Sequence, residues 1–323
     1  MSKIRVGVLR GGPSSEYDVS LKTGKTVLNA LSPEKYDPID IFIDKDGEWH
    51  IGGYPLTPDR AVQHIDVIFN AMHGEYGEDG EVQRILENLS VPYTGSRAMA
   101  SAVAMHKAHA KDAFARHGLQ MAPHILFDTN TQDEDDIVEI FRTFPQPSVV
   151  KPMMSGSSVG VSMVNRFDEL ADAIARAAEY SPIVLIESFI DGKEATCGVI
   201  EDFRGEDLYA LPVVEIIPPE DSAFFDYDAK YGGETEERVP GRFSGDETAQ
   251  IQDIARRAHE AVGALHYSRT DCIVSPRGIF VLEINTLPGL TEASLFPKSL
   301  DAIGVPFAHF LDHVISLSLG PNR

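Results

Sequence analysis

Arg269-Thr270-Asp271-Cys272-Ile273-Val274-Ser275-Pro276-Arg277-Gly278-Ile279-Phe280-Val281-Leu282-Glu283-Ile284-Asn285 is the stretch around which the rest of the chain organises. Apolar residues flank Pro276-Arg277-Gly278, so it reads as a hairpin of two strands, Tyr267–Ser275 and Ile279–Asn285. Residues two apart on a strand share a face, which points Arg269 with Asp271 and Glu283 with Asn285. A three-residue loop with glycine in the left-handed position pairs Ser275 with Ile279. That register sets Asp271 opposite Glu283 and Arg269 opposite Asn285. Directly opposed like charges are destabilising unless a cation lies between them. Two carboxylates and an amide oxygen are hard donors for Mg²⁺, which phosphate oxygens would complete. The plainer alternative is an exposed polar face balanced by Arg269.

Two segments upstream have complementary chemistry. Val149-Val150-Lys151-Pro152 runs into Ser155-Gly156-Ser157-Ser158-Val159-Gly160, a lysine at a strand end followed by small residues whose N–H groups can reach phosphates. It is not a Walker A loop, because no Gly-Lys-Ser/Thr opens a helix, and alone it is as readily an ordinary turn. Strand Ile183–Glu187 leads into Ser188-Phe189-Ile190, with Glu194 beyond. Backbone groups there can meet an adenine edge, and the carboxylates can meet ribose hydroxyls or an exocyclic amine.

The first ninety or so residues alternate strand and helix: Ile4–Leu9, a helix to about Leu31, Ile39–Ile43, Val67–Phe69, a helix near Asp79–Leu89 and the run Ser90–Tyr93. Helical crossovers between strands imply a doubly wound parallel sheet, whose ligands sit beyond the carboxyl ends of the strands. Loops Gly11–Glu16 and His73-Gly74 fall there. Gly7 to Gly12 does not form G-x-G-x-x-G and Pro13 follows at once, which excludes a dinucleotide fingerprint.

A second unit follows, with helices near Met105–His117, Glu134–Phe144 and Asp168–Tyr180. Its strands are Ile125–Phe127, Ser148–Lys151, Val161–Val164 and Ile183–Glu187. The third has strands near Glu194–Glu201 and Leu208–Glu215, a helix near Asp246–Gly263, the hairpin, and a helix near Pro306–Leu317. Between them the polar stretch from Pro218 to Gly241 carries Phe224, Phe225, Tyr227 and Tyr231. Connections of that length are usually lids or disordered, and the aromatics favour an ordering lid.

The 323 residues carry a formal charge of −22, which argues against nucleic acid or an anionic membrane as a partner. No apolar run approaches the roughly 20 residues needed to span a bilayer. Two distant cysteines, Cys197 and Cys272, point to a reducing compartment. Met1-Ser2-Lys3 enters a strand without a leader pattern, so a cytoplasmic location is expected.

In this order the segments resemble the ATP-grasp superfamily, and within it the D-alanine–D-alanine ligases. The resemblance rests on Gly11-Gly12-Pro13-Ser14-Ser15-Glu16 with Val19-Ser20, His73-Gly74 with Gly77-Glu78-Asp79-Gly80, and Pro92-Tyr93-Thr94-Gly95-Ser96. It continues through Lys151-Pro152 with Gly156-Ser157-Ser158-Val159-Gly160, Tyr227-Asp228-Ala229-Lys230-Tyr231, and Glu283 to Thr291. It implies an α/β fold, α+β in the C-terminal two-thirds, in three domains: 1–97 with the doubly wound parallel sheet, 98–187, and 188–323 with the metal site and the 218–241 lid.

The same resemblance implies the residue roles. Lys107 and Lys151 hold ATP phosphates, and Glu187, Ser188, Phe189, Ile190 and Glu194 surround adenine and ribose over Leu282. Asp271, Glu283 and Asn285 bind two Mg²⁺ or Mn²⁺. Glu16 meets the first D-alanine's ammonium, Arg269 and the Gly289 N–H meet the oxyanion, and Ser294, Leu295 and Lys230 orient the second D-alanine, Lys230 also lying at the nucleotide. His73 contacts substrate, Tyr231, Ser157 and Glu16 form one hydrogen-bonded cluster, and the protein is a cytoplasmic homodimer serving peptidoglycan synthesis. Arg10, His106, Ser155 and Phe225 depart from the family pattern. The alternatives are another acceptor, such as D-lactate giving an ester, and a non-catalytic nucleotide-binding homologue.

Tyr231→Phe removes only a hydroxyl from that cluster, and an unmet polar group in a dry site costs about 1–3 kcal/mol. Dipeptide synthesis should therefore fall roughly 5- to 150-fold, with a relative gain of ester from D-lactate. Competition between equal D-alanine and D-lactate across pH measures this. A product ratio unchanged at every pH would leave Tyr231 holding the lid without selecting the acceptor.

Overall fold

β1 (Ile4–Gly11), β2 (Tyr36–Ile43) and β5 (Val67–Asn70) form the parallel centre of the first sheet, with β1 in the middle. β5 and the middle of β1, Val6 to Leu9, are buried throughout because both faces are covered, whereas β2 carries Asp37 and Asp40 and buries Tyr36, Ile41 and Ile43. This computed structural model describes residues 3–154, 159–219 and 235–320 of the chain. Helices α1 (Tyr17–Ala30), α2 (Pro58–Ala61) and α3 (Glu81–Asn88) connect the strands. One edge adds an antiparallel ribbon, β3 (Trp49–Ile51) and β4 (Tyr54–Leu56), in the order β4-β3-β2-β1-β5. The expected strand Ser90–Tyr93 is only a single bridge from Tyr93 to Ile68. Gly11 closes β1 at φ +92°, and a Cβ there would fall 2.1 Å from the Ile43 carbonyl oxygen. Glycine thus lets the chain turn tightly over the carboxyl edge of the sheet.

The second sheet runs β6 (His124–Asp128), β9 (Ile183–Ser188), β7 (Ser148–Pro152), β8 (Ser162–Val164), all antiparallel. Helices α6 (Glu134–Thr143) and α7 (Phe167–Ala178) cover one face. α7 buries Leu170, Ala173, Ile174 and Ala177, a helical stripe packed on Val150, Val184 and Ile186.

The third sheet has the order β13-β12-β10-β14-β15, with β11 also on β10. Its strands are β10 (Lys193–Phe203), β11 (Glu206–Ala210), β12 (Val214–Ile217), β13 (Glu236–Arg238), β14 (Tyr267–Ser275) and β15 (Gly278–Asn285). The strand expected over Leu208–Glu215 is two strands, because Pro212 lies between them and cannot donate to a ladder. The end of the expected lid is sheet: β13 pairs with β12. Residues 220–234, with Phe224, Phe225, Tyr227, Lys230 and Tyr231, lie outside the described residues, as do Ser155 to Ser158. Helix α8 (Gly245–Val262) starts at a reciprocal Ser244–Glu247 capping box and stops at left-handed Gly263.

The helix read over Met105–His117 is α5 (Lys107–Arg116), and a helix the sequence reading missed, α4 (Ala98–Met105), precedes it. His106 breaks them: it is extended, and its Nδ1 accepts the His109 N–H at 3.3 Å, capping α5. This break makes Lys107 the first residue of α5. Both helices pack on α8 and β15.

After the hairpin the chain returns to the first sheet through α9 (Leu295–Ala302), which the sequence reading missed, and α10 (Phe307–Ser318). Phe296 and Phe310 meet Tyr267 of β14 edge-on at 5.7 and 5.3 Å, in one core with Val6, Val8 and Phe69. The first and third sheets therefore share a core. Among the described residues, no single helix is long and apolar enough to cross a membrane.

Candidate active site

The β14–β15 ladder pairs Arg269 with Asn285 and Asp271 with Glu283. The sequence reading reached those pairs through two deviations that cancel. The turn is two residues, so Ser275 pairs with Gly278 rather than Ile279, and a bulge between Asp271 and Cys272 restores the register. Asp271 is held from three sides. Arg269 donates to it through Nε at 2.9 Å and Nη2 at 2.8 Å, Asn285 Nδ2 at 3.2 Å, and Thr196 Oγ1 at 2.5 Å. Thr196 lies directly across the ladder from Asp271 on β10. Burial opposes the Arg269 charge, but Asp271 first, then Glu283 and Glu78, push its pKa up and keep it protonated.

Lys107 and Lys151 arrive from different elements. The Lys107 N–H bonds the Met153 carbonyl at 3.4 Å, tying the start of α5 to the end of β7. Burial lowers the Lys107 pKa, against the pull of Glu283. Burial also opposes the Lys151 charge, yet Glu187, Glu283 and Glu194 outweigh it and raise its pKa. Glu283 of the hairpin thus acts on both lysines.

Glu187 is 3% exposed and bridges two cations. Lys151 Nζ lies 2.7 Å from Oε2, and Lys111 Nζ, itself almost wholly buried, pairs with Oε1. Burial pushes the Glu187 carboxyl up, but Lys151 and Lys111 outweigh it and hold it at about 2. In the linker beyond, the Ser188 and Phe189 N–H groups bond the Pro123 and Pro147 carbonyls, each at 2.9 Å. Those two donors, expected to meet adenine, are therefore spent inside the fold. Ile190 packs with Ala122 and Phe280, Glu194 is half-buried on β10, and Leu282 is half-buried on β15 beside the bulge.

The loops at the carboxyl edge of the first sheet are stitched together. Ser14 Oγ donates to the His73 carbonyl at 2.6 Å and accepts the Glu16 N–H at 3.2 Å. His73 is buried, with Nε2 2.8 Å from Thr23 Oγ1, and the Gly74 N–H donates to Glu78 Oε2 at 2.8 Å. Glu16, half-buried, opens α1. Arg10, an unusual residue before the glycine pair, is paired with Asp40 through two bonds of 2.6 Å. On the far side, Ser294 precedes α9 and Leu295 begins it. A Cβ on Gly289 would come within 2.9 Å of Ser294 Oγ, so glycine admits that hydroxyl. Ser157, Lys230 and Tyr231 lie outside the described residues.

Among the described residues, Asp44, Glu48 and His50 also gather as a metal-sized group. Its Asp44 carboxylate is occupied by the turn, accepting the Asp46 and Glu48 N–H groups and facing His50 Nε2 at 3.0 Å.

Comparison with known proteins shows the family. The family model described as D-ala D-ala ligase C-terminus matches residues 113–316, and the D-ala D-ala ligase N-terminus model matches residues 5–61 and 53–96. The chain belongs to the D-alanine–D-alanine ligase family. It is 42% identical to the D-alanine–D-alanine ligase of Syntrophobacter fumaroxidans over 98% of both chains. Against the ligase of Geotalea uraniireducens it is 38% identical, over 97% of this chain and 94% of that one. Among solved structures, VanG D-Ala:D-Ser ligase from Enterococcus faecalis superposes with a TM-score of 0.86 at 30% identity, covering 98% of this chain and all 100% of that one. The Bacillus anthracis D-alanine–D-alanine ligase complexed with ATP gives 0.81 at 32% identity, over 99% and 98%.

Three side chains that hold this ligase-family site were not assigned roles from sequence. Glu78 sat in a quoted motif, and Lys111 follows Lys107 by one helical turn, a spacing that was legible. Thr196 carried no local signal, since its pairing to β14 is non-local.

The Glu187 charge predicts a pH signature. A carboxyl lowered from its ordinary 4.5 to about 2 adds stability that is complete above pH 4.5 and lost as pH falls through about 2. Glu187→Gln leaves buried lysines unpaired and should cost about 3–5 kcal/mol near neutrality. Urea unfolding of both proteins should show that gap narrowing between pH 4.5 and 2. A constant gap would contradict the assignment.

Proposed function

We propose that this chain joins two D-alanines into D-alanyl-D-alanine, using ATP and releasing ADP and phosphate, for peptidoglycan precursor synthesis. The observation that carries the reading is electrostatic. Glu283, on the hairpin with Asp271 and Asn285, acts on Lys107 and Lys151, so phosphate-type cations and metal-type oxygen donors face one volume. Lys107, at the start of a helix, combines its own charge with the helix N-terminus for phosphate.

The first D-alanine binds with its ammonium at Glu16, in the loop near His73, and its carboxylate oxygen attacks the γ-phosphorus as ADP leaves. The second D-alanine's amine, losing a proton, attacks the acyl phosphate carbonyl, and inorganic phosphate departs. Arg269 and the Gly289 N–H stabilise the tetrahedral oxyanion, where preorganised donors are worth most. Ser294 and Leu295 orient the second D-alanine, with Lys230. Tyr231 and Ser157 complete the cluster with Glu16, and residues 218–241 cover the site to keep the acyl phosphate from water. Adenine sits over Leu282 beside Glu187 and Ile190, with Ser188 and Phe189 contributing groups other than their spent N–H donors. Glu194 takes the ribose.

Asp271, Glu283 and Asn285 suit two Mg²⁺ or Mn²⁺, since all three offer oxygen and the two carboxylates face each other across the ladder. Bound there, the metals neutralise phosphate charge. We divide the chain into domains 1–97, 98–187 and 188–323. We infer a cytoplasmic homodimer; the buried free thiols Cys197 and Cys272 support a reducing compartment. Light scattering of the purified protein tests the dimer.

Phosphate release should require both Mg²⁺ and D-alanine, with the dipeptide as main product in a panel including D-serine, D-lactate and L-alanine. Equal turnover with L-alanine, or ADP without peptide, would sink the reading. Arg269→Ala should lower turnover roughly 10²-fold, about 3 kcal/mol, with little change in ATP affinity by calorimetry. Asp271→Asn should weaken metal-dependent ATP binding as well. An Arg269→Ala protein unable to bind ATP would show the division of roles to be wrong.

A further inference from the structure

Glu187 has two lysine partners that differ in access. The Lys151 side chain is 18% exposed, one residue before the end of β7, which leaves it open to a phosphate. Lys111 is 3% exposed and lies one turn inside α5 from Lys107, on the same helix face. No phosphate reaches a side chain so enclosed, yet a lysine is seldom buried without a reason. Lys151 also cannot serve Glu187 and a nucleotide fully at once. When it turns to phosphate, a carboxylate buried like Glu187 would be stranded without a counter-ion, and a single unpaired buried charge is strongly unfavourable.

We propose that Lys111 is a positioning residue: it is the standing counter-ion of Glu187, and it frees Lys151 to pass from Glu187 to the nucleotide phosphates. The inference rests on the reading of Lys151 as a phosphate ligand. Glu187 stays ionised throughout, held by both lysines before Lys151 turns to phosphate and by Lys111 afterwards. Lys107 gains as well, since a Lys111 charge neutralised by Glu187 repels its neighbour less.

Without Lys111, Lys151 becomes the only cation at ion-pair distance from Glu187 among the described residues and is locked onto it. The loss then falls on the phosphates and not on adenosine. The test is calorimetric binding of ATP and adenosine to the full-length protein, compared as the ratio of the two affinities. Lys111→Met, which fills the same space without charge, should lower the preference for ATP over adenosine about 10- to 100-fold, or about 1.4 to 2.8 kcal/mol at 1.4 kcal/mol per tenfold. Adding Glu187→Gln removes the competing carboxylate and should restore the ratio towards wild type, whatever adenine contact is lost. Lys111→Gln carries the same test if the methionine variant does not fold. A ratio unchanged in Lys111→Met or Lys111→Gln, with both affinities falling together, means Lys111 only supports the fold and overturns the inference. So does a lowered ratio that Glu187→Gln fails to restore. Wild-type protein that does not bind ATP would remove the nucleotide reading itself, which is a separate result.

Discussion

Buried charges must be neutralised where they lie, and the site is built around that constraint. Lys107, Lys111, Lys151 and Arg269 are gathered into a protein whose formal charge is −22. Burial resists the charges of Lys107, Lys151 and Arg269, and Glu187, Glu283, Asp271, Glu194 and Glu78 oppose that resistance, while Lys111 is ion-paired with Glu187. These groups come from the second and third sheets, from α5 and from the loop that follows β5 of the first sheet. Moving any sheet away would leave uncompensated charge, so electrostatics as well as apolar packing favours the assembled arrangement.

Packing supplies the frame. The last helices, α9 and α10, run back over the first sheet and bring Phe296 and Phe310 against Tyr267. Tyr267 lies two residues before Arg269 on β14, so the residue that faces the reacting carbonyl in the proposed mechanism is anchored in a core shared by the first and third sheets. Glu78 reaches the same arginine from the first sheet's loop. The loops after β1 and β5, the β14–β15 hairpin and Arg269 are thereby held in register without any one element carrying them all.

Much of this was legible in sequence wherever the signal was local. Strand and helix periodicity located most elements, and the hairpin placed Asp271 against Glu283 because a shorter turn and a bulge compensate. The failures were non-local or capping events. His106 was read through as helix because histidine is a weak stop signal, yet its side chain caps α5. The β3–β4 ribbon was missed because three-residue strands show almost no alternation, and α9 because it follows a proline-glycine turn closely. In sequence Glu187 stood only as one of the residues around adenine and ribose. Only the fold shows that two lysines from different elements converge on it. The segments around Ser157 and Tyr231 enter the account through family membership alone.

The central claim is that this charge cluster serves to make a carboxylate oxygen attack the γ-phosphate. It is tested most directly by running the reaction with D-alanine labelled by ¹⁸O in both carboxylate oxygens and analysing the released phosphate by mass spectrometry. The account predicts one ¹⁸O in inorganic phosphate for each dipeptide formed, because the oxygen that attacks phosphorus leaves with it. Unlabelled phosphate accompanying dipeptide would contradict it.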